Sequence, residues 1–225
     1  SCNMNFISDL TNSFKANANP KFAAQMKAYM RDKFEFYGIK TQPRRELLKT
    51  VVETHRLEVR DTMRSLVFDL YDLPERELHH SAIELFEKQL RKTYKKEDIV
   101  LIERLITTNA WWDSVDFISK QILGNYLLKF PEETHEVISN FSNSENMWLN
   151  RCTITFQLGY KTKTNEALLF NQCLQHKSSE EFFIQKAIGW ALREYGKTRP
   201  ESVLKFVRSS NLKPLSEREA IRNIV

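Results

Sequence analysis

A chain of 225 residues holds enough material for one hydrophobic core or one array of repeats. Its 41% hydrophobic and 28% charged content fits a folded soluble chain, and only 5 Gly and 6 Pro argue against a turn-rich all-β fold and against Gly-rich phosphate loops. The 34 Lys+Arg against 29 Asp+Glu leave a net charge of +5, a mild bias toward an anionic partner such as nucleic acid.

Nearly every segment repeats a helical spacing, and no period-2 run marks a strand. Phe6, Leu10 and Phe14 predict an opening helix, broken at Asn17-Ala18-Asn19-Pro20. Phe22, Met26, Tyr29, Met30 and Phe34 follow at helical spacing. Gly38 to Pro43 reads as a turn into a helix from Arg44 to His55, with Leu47, Leu48, Val51 and Val52 on its apolar face. Met63, Leu66, Val67, Leu70 and Tyr71 predict the next helix. Leu73-Pro74-Glu75-Arg76-Glu77 restarts a helix with Pro in its first turn. After Lys95-Lys96-Glu97, the run from Ile99 ends at Thr107-Thr108-Asn109. A further pattern runs through Val115, Ile118, Ile122 and Tyr126, and Phe130-Pro131 opens a helix through Val137 and Phe141. Trp148 to Lys161 reads as helical, with Leu149, Thr153, Phe156 and Tyr160 on one stripe. Asn165 to His176 follows. Ser178 to Glu181 predicts a cap for Phe182 to Lys197, and Pro200 and Pro214 introduce the last two helices.

About a dozen short helices with short connections, in pairs recurring at roughly 35–40 residues, fit an α-solenoid of about six HEAT-like pairs. The expectation is one all-α domain over residues 1–225, curved into a superhelix with a concave basic groove. Ser1-Cys2-Asn3 before Met4 reads as an expression remnant. No GxGxxG or GxxxxGK[ST] occurs, no apolar run reaches the roughly 20 residues of a membrane span, and no leader is apparent. Cys2, Cys152 and Cys173 read as reduced thiols of a cytoplasmic protein. The five His lack ligand spacing, so neither metal nor cofactor is expected.

Ala110 to Asp116 concentrates two Trp and two carboxylates. Trp111 lies four residues before Val115 and joins its apolar stripe. Trp112 and Asp116 stand at i and i+4 and share a face beside it. Spacing alone leaves two readings: a helix N-terminus that favours an acidic residue, or a chemical pair. A second cluster surrounds Trp190, about 200° round its helix from Ile188, with Lys186, Arg193 and Lys197 as neighbours. It reads either as cation–π packing against the next repeat or as a surface meeting a phosphate backbone. Arg151 stands three residues after Trp148. Thr41 with Arg44, Arg45 and Lys49 forms a candidate phosphate clamp at a helix start. The basic run Arg91 to Lys96 reads first as solvated surface and second as a peripheral DNA contact.

Trp111-Trp112-Asp113-Ser114-Val115-Asp116, Trp148-Leu149-Asn150-Arg151, the block Glu181 to Tyr195 and Leu215 to Ile221 together resemble the AlkD family of bacterial DNA alkylpurine glycosylases. The resemblance covers nearly the whole chain. It implies a HEAT-like superhelix that binds duplex DNA and excises cationic N3- and N7-alkylated purines, leaving an abasic site without flipping the base into a pocket. It assigns the catalytic trio to Trp112, Asp116 and Trp190, lesion-side arginines to Arg151 and Arg193, and an early tyrosine to Tyr29. The expected enzyme is monofunctional, metal-independent and monomeric. The alternative is a non-catalytic HEAT-like scaffold binding DNA or protein.

Overall fold

The computed structural model describes residues 5–225; the Ser1-Cys2-Asn3 segment, with the Cys2 thiol, lies outside the described residues. The chain is all-α, with successive helix pairs in the manner of HEAT-like repeats. Among the described residues there is no strand, only an isolated parallel bridge between Glu35 and Glu75. No helix among them is long and apolar enough to cross a membrane. The chain divides into two compact units, one ending at Thr93 and one beginning at Tyr94.

The first unit holds α1 (Phe6–Ala16), α2 (Pro20–Tyr29), α3 (Thr41–Thr54), α4 (Arg56–Tyr71) and α5 (Arg76–Leu90). The predicted stripe of α1 is buried as Phe6, Leu10 and Phe14. Asn19 caps α2 through the Phe22 N–H, and Pro20 takes the first turn, where its missing N–H leaves no bond unmade. α2 stops at Tyr29, although Met30 and Phe34 continue its spacing. Arg31 and Asp32 both adopt left-handed backbone, with φ of 55° and 59°, and no right-handed helix passes through them. Phe34 lies in the following loop, with the Arg76 guanidinium 3.8 Å from its ring centroid.

That loop is clamped from below. Buried Glu77 accepts the backbone N–H groups of Tyr37, Gly38 and Ile39 at 3.0, 2.9 and 3.1 Å. Gly38 has φ of +91°, and a Cβ there would stand 2.1 Å from the Asn19 carbonyl oxygen, so only glycine fits. α3 therefore starts at Thr41, three residues earlier than its sequence predicts. Pro43 is accommodated in the first turn, whose N–H groups have no intrahelical partner. Pro74 falls just outside α5, with Glu75 at its N-cap.

The second unit holds α6 (Ile99–Thr107), α7 (Trp112–Phe117), α8 (Gly124–Lys129), α9 (Thr134–Ser142), α10 (Met147–Thr155), α11 (Glu166–His176), α12 (Phe182–Gly196), α13 (Pro200–Ser210) and α14 (Pro214–Ile221). A π-helical segment, Ile118–Leu123, joins α7 to α8 without a break. The core gathers Ile154, Leu169, Cys173, Ile188, Leu192 and Val203 with their neighbours. Cys152 and Cys173 are free and buried. α10 ends at Thr155, not Lys161, because the chain tightens into turns after it and Lys161 is left-handed, with φ of 52°. The apolar stripe continues through those turns, with Phe156 buried, although the helix does not. At α12 the N-cap is Glu181 without a side-chain cap bond, and Ser179 instead accepts the Glu181 N–H at 3.1 Å.

The repeat step is visible in side-chain bonds. Arg44 reaches Ser81 and Glu84, 37 and 40 residues on, in the first unit. In the second unit Asp116 meets Arg151 at a separation of 35, Ser119 meets Thr155 at 36 and Ser142 meets His176 at 34. Each bond joins corresponding places in neighbouring helix pairs, close to the predicted period.

Candidate active site

Three helix starts build the site. α6 stops at Thr107, and Asn109, left-handed at φ 47°, turns the chain. Trp111 is extended, with φ of −154° and ψ of 168°, and is the N-cap of α7. Its carbonyl accepts the Val115 N–H at 3.0 Å and the Ser114 hydroxyl at 3.2 Å. Trp111 therefore does not share the Val115 stripe, as its spacing predicts. It is half-buried and packs edge-on against Trp148 and Phe183, with ring centroids 5.7 and 5.1 Å away. Trp148 and Phe183 are themselves 5.0 Å apart. They are the second residues of α10 and α12, so one aromatic cluster ties the beginnings of α7, α10 and α12 together.

Beside Phe183 lies an ion pair. Asp116 accepts Nε and Nη2 of Arg151 at 2.9 and 3.1 Å, a bidentate fork in which the side chains are 19% and 6% exposed. A further Arg151 nitrogen, Nη1, donates to the Phe183 carbonyl. The guanidinium carbon stands 5.6 Å from the Trp190 ring centroid and 5.9 Å from that of Phe183. Burial pushes the Asp116 carboxyl above its ordinary value and the nearby Asp113 adds to this, while the hydrogen bonds and charge of Arg151 pull the other way. Trp112, at the first position of α7, is half-buried on the same short helix.

The fold thus brings Asp116, Arg151 and Trp190 together from α7, α10 and α12. Arg151, assigned by resemblance to direct DNA contact, is buried, with three of its donors committed inside the protein. The reason is electrostatic: a sequestered carboxylate needs a sequestered cation.

The cationic row around Trp190 is also partnered. Buried Glu219 of α14 receives Lys186 at 3.4 Å, Arg193 at 2.9 Å and Arg222 at 2.6 Å. Lys197 pairs with Glu194 at 2.8 Å. Burial raises the Glu219 carboxyl, but Lys186, Arg222 and Arg193 together hold it below the ordinary glutamate value. α14 reaches this position because residue 189 is glycine; a Cβ there would lie 2.5 Å from Glu219 Cβ. Glu219 escapes a sequence reading because its partners Lys186 and Arg193 lie 33 and 26 residues away. The available signals are that the first separation is close to the repeat step and that Arg222 stands three residues on.

Tyr29, Thr41, Arg45 and Lys49 belong to the first unit. Tyr29 ends α2 with 74% of its surface exposed. Thr41 is the first residue of α3, and it and Lys49 are exposed. Arg45 is exposed and donates from Nε to Glu84 at 2.6 Å. Arg44, grouped with them in sequence, is instead buried, bonded to Glu84 and to the Ser81 hydroxyl. In the basic run, Arg91 pairs with Glu87 and Lys96 with Glu132 and Glu133, and Tyr94 is buried.

A family model described as DNA alkylation repair enzyme matches residues 10–224. A solved structure, the "Predicted DNA alkylation repair enzyme from Enterococcus faecalis", is similar over 92% of this chain and 97% of its own, at 34% identity and a TM-score of 0.85. No curated protein matches the chain.

Proposed function

Because the chain belongs to the family of DNA alkylation repair enzymes, we propose that it is a monofunctional glycosylase hydrolysing the N-glycosidic bond of N3- and N7-alkylated purines in duplex DNA. The observation that supports this most is the Asp116–Arg151 pair beside Trp190. A DNA-binding surface gains nothing from a carboxylate held by a buried arginine, since it repels phosphate. A reaction that creates positive charge on the sugar does gain from it.

An alkylated purine of this class is already cationic and leaves as a neutral base. The C1′–N bond breaks with its electron pair going to the purine, so no strong general acid is required. The sugar becomes oxocarbenium-like. The Asp116 carboxylate stabilises that cation and orients a water, whose oxygen bonds to C1′ while its proton passes to the carboxylate or to solvent. Trp112 and Trp190 present their ring faces to the same charge. Arg151 keeps the carboxylate ionised against burial and fixes its direction. Lys186, Arg193 and Lys197, and from the first unit Tyr29, Thr41, Arg45 and Lys49, grip the duplex as a monomer does, without base flipping. The product is an abasic site; metal and cofactor have no step in the scheme.

The test is release of base from a duplex carrying a single N7-methylguanine. Wild type releases it, and Asp116→Asn is slower by at least roughly tenfold, about 1.4 kcal/mol in the barrier, while still binding the duplex. Equal rates remove Asp116 from the mechanism. No release by wild type favours a non-catalytic scaffold.

A further inference from the structure

The segment that follows Asp116 is not ordinary helix. The run from Trp112 to Lys129 is continuous, but Ile118–Leu123 is π-helical, which places one extra residue in the turn. The consequence is read along the face turned toward α10. Asp116 meets Arg151, Ser119 meets Thr155, and Gly124 meets the segment after α10, where Tyr160 donates its hydroxyl to the Gly124 carbonyl. These positions advance by three and then five. An unbroken α-helix would bring Leu123 to the third place, where the chain approaches so closely that a Cβ on Gly124 would lie 2.8 Å from the Phe156 carbonyl oxygen. The π turn therefore lets one helix satisfy two demands: a carboxylate against Arg151 at its start, and a bare backbone against Phe156 five residues beyond Ser119.

Between those ends lies a buried polar contact. The hydroxyls of Ser119 and Thr155 are 2.8 Å apart, and both residues are fully buried. Thr155 Oγ1 also donates to the Arg151 carbonyl at 3.1 Å. A hydrogen-bonded chain thus runs from the π turn through Thr155 to the backbone of the arginine that holds Asp116. Buried hydroxyls without partners are costly, so the two fix each other's helical register.

We propose that Ser119 and Thr155 are positioning residues for the Asp116–Arg151 pair, setting the rotation of α7 so that Asp116 faces the reacting sugar. This rests on the glycosylase reading of the site. It goes beyond that reading in assigning the alignment of the carboxylate to two residues that touch no substrate and to the π turn they pin. Reaction rates fall steeply with small misplacement of a catalytic group, whereas duplex binding, spread over many phosphate contacts, does not.

The experiment measures single-turnover release of N7-methylguanine and duplex affinity for Ser119→Ala, Thr155→Val, their double variant and Thr155→Ser, with melting curves to establish folding. Thr155→Val keeps the shape of threonine and loses the hydroxyl; Thr155→Ser keeps the hydroxyl. The expected result is release about tenfold slower for Ser119→Ala and Thr155→Val, a double variant no slower than the slower single, duplex affinity unchanged, and Thr155→Ser close to wild type. If Thr155→Val does not fold, Ser119→Ala carries the measurement. Wild-type rates in the folded hydroxyl-deleting variants, or a Thr155→Ser as slow as Thr155→Val, overturn the positioning role while leaving the glycosylase intact. Loss of rate only in proportion to loss of affinity overturns it too. Absence of release by wild type overturns the glycosylase reading and this role together.

Discussion

Asp116 and Arg151 meet through two hydrogen bonds, 2.9 and 3.1 Å long, with the arginine almost sealed from solvent and its third donor spent on the Phe183 carbonyl. Opposing forces act on one carboxylate. Burial favours its neutral form and Arg151 its charged form. The arginine is what makes an anion tolerable at so buried a place.

Removing the arginine should therefore move the pH profile. In the proposed mechanism only the ionised carboxylate stabilises the sugar, so excision is expected to fall as pH falls through the Asp116 pKa, which burial already holds above the ordinary carboxylate value. Arg151→Gln deletes the one influence that lowers it, leaving burial and Asp113. The acid limb of the single-turnover rate is expected to move to higher pH. An arginine acting only as a phosphate contact would instead weaken binding at every pH.

The same pair should show strong coupling in stability. Arg151→Gln leaves a buried carboxylate and Asp116→Asn a buried guanidinium, each expected to cost roughly 3–5 kcal/mol. The double variant should lose much less than the sum, read as a double-mutant cycle in urea. The pH dependence has a definite sign. A carboxyl whose pKa is raised by folding stabilises the fold below its unfolded pKa, and that contribution is lost as pH rises through the folded value. Asp116→Asn removes this term.

Glu219 should behave in the opposite sense. Its carboxyl is held below the ordinary value, so its contribution is present above the unfolded pKa and is lost as pH falls through the folded one. Glu219→Gln is expected to cost roughly 2 kcal/mol near neutral pH, the scale of charge-assisted hydrogen bonds, and the difference from wild type should shrink in acid. Freed from a shared acceptor, Lys186, Arg193 and Arg222 should also bind duplex non-specifically with a steeper salt dependence. Thermal melts across pH and a salt titration of binding check the two statements separately.

How much of this could be read from the chain depends on the range of each interaction. The stripes of α1, α4 and α12 are local, and burial of Leu66, Leu70, Ile188 and Leu192 follows from spacing. Trp112 and Asp116 are four apart on one helix, so their kinship is local too. Arg151 needs a partner 35 residues away, which no pattern on its own helix announces. The π turn is invisible for a different reason. Val115, Ile118, Ile122 and Tyr126 are all fully buried at spacings an α-helix would also give, so the pattern passes through the bulge unchanged. At α2 and α10 the error has one source: apolar residues stay buried after the helix has ended, because the chain turns and still faces the core.

Glu77 offers a test in the first unit, away from the carboxylate chemistry. Its two oxygens take three backbone N–H groups, from Tyr37, Gly38 and Ile39, immediately before Thr41 opens α3. Glu77→Gln replaces one oxygen by an amide nitrogen, which cannot accept and must face an N–H. At least one buried donor is then orphaned, at about 1–3 kcal/mol. The loop should loosen where Gly38 already holds φ of +91°. Hydrogen exchange at residues 37–39 is expected to quicken, while the chemistry at Asp116, in the second unit, proceeds at the wild-type rate with bound duplex. If Thr41, Arg45 and Lys49 grip phosphate from the start of α3, duplex affinity falls with the loop. Faster exchange with unchanged affinity would place the α3 terminus off the DNA. Unchanged exchange would show that the carboxylate does not hold the loop in solution.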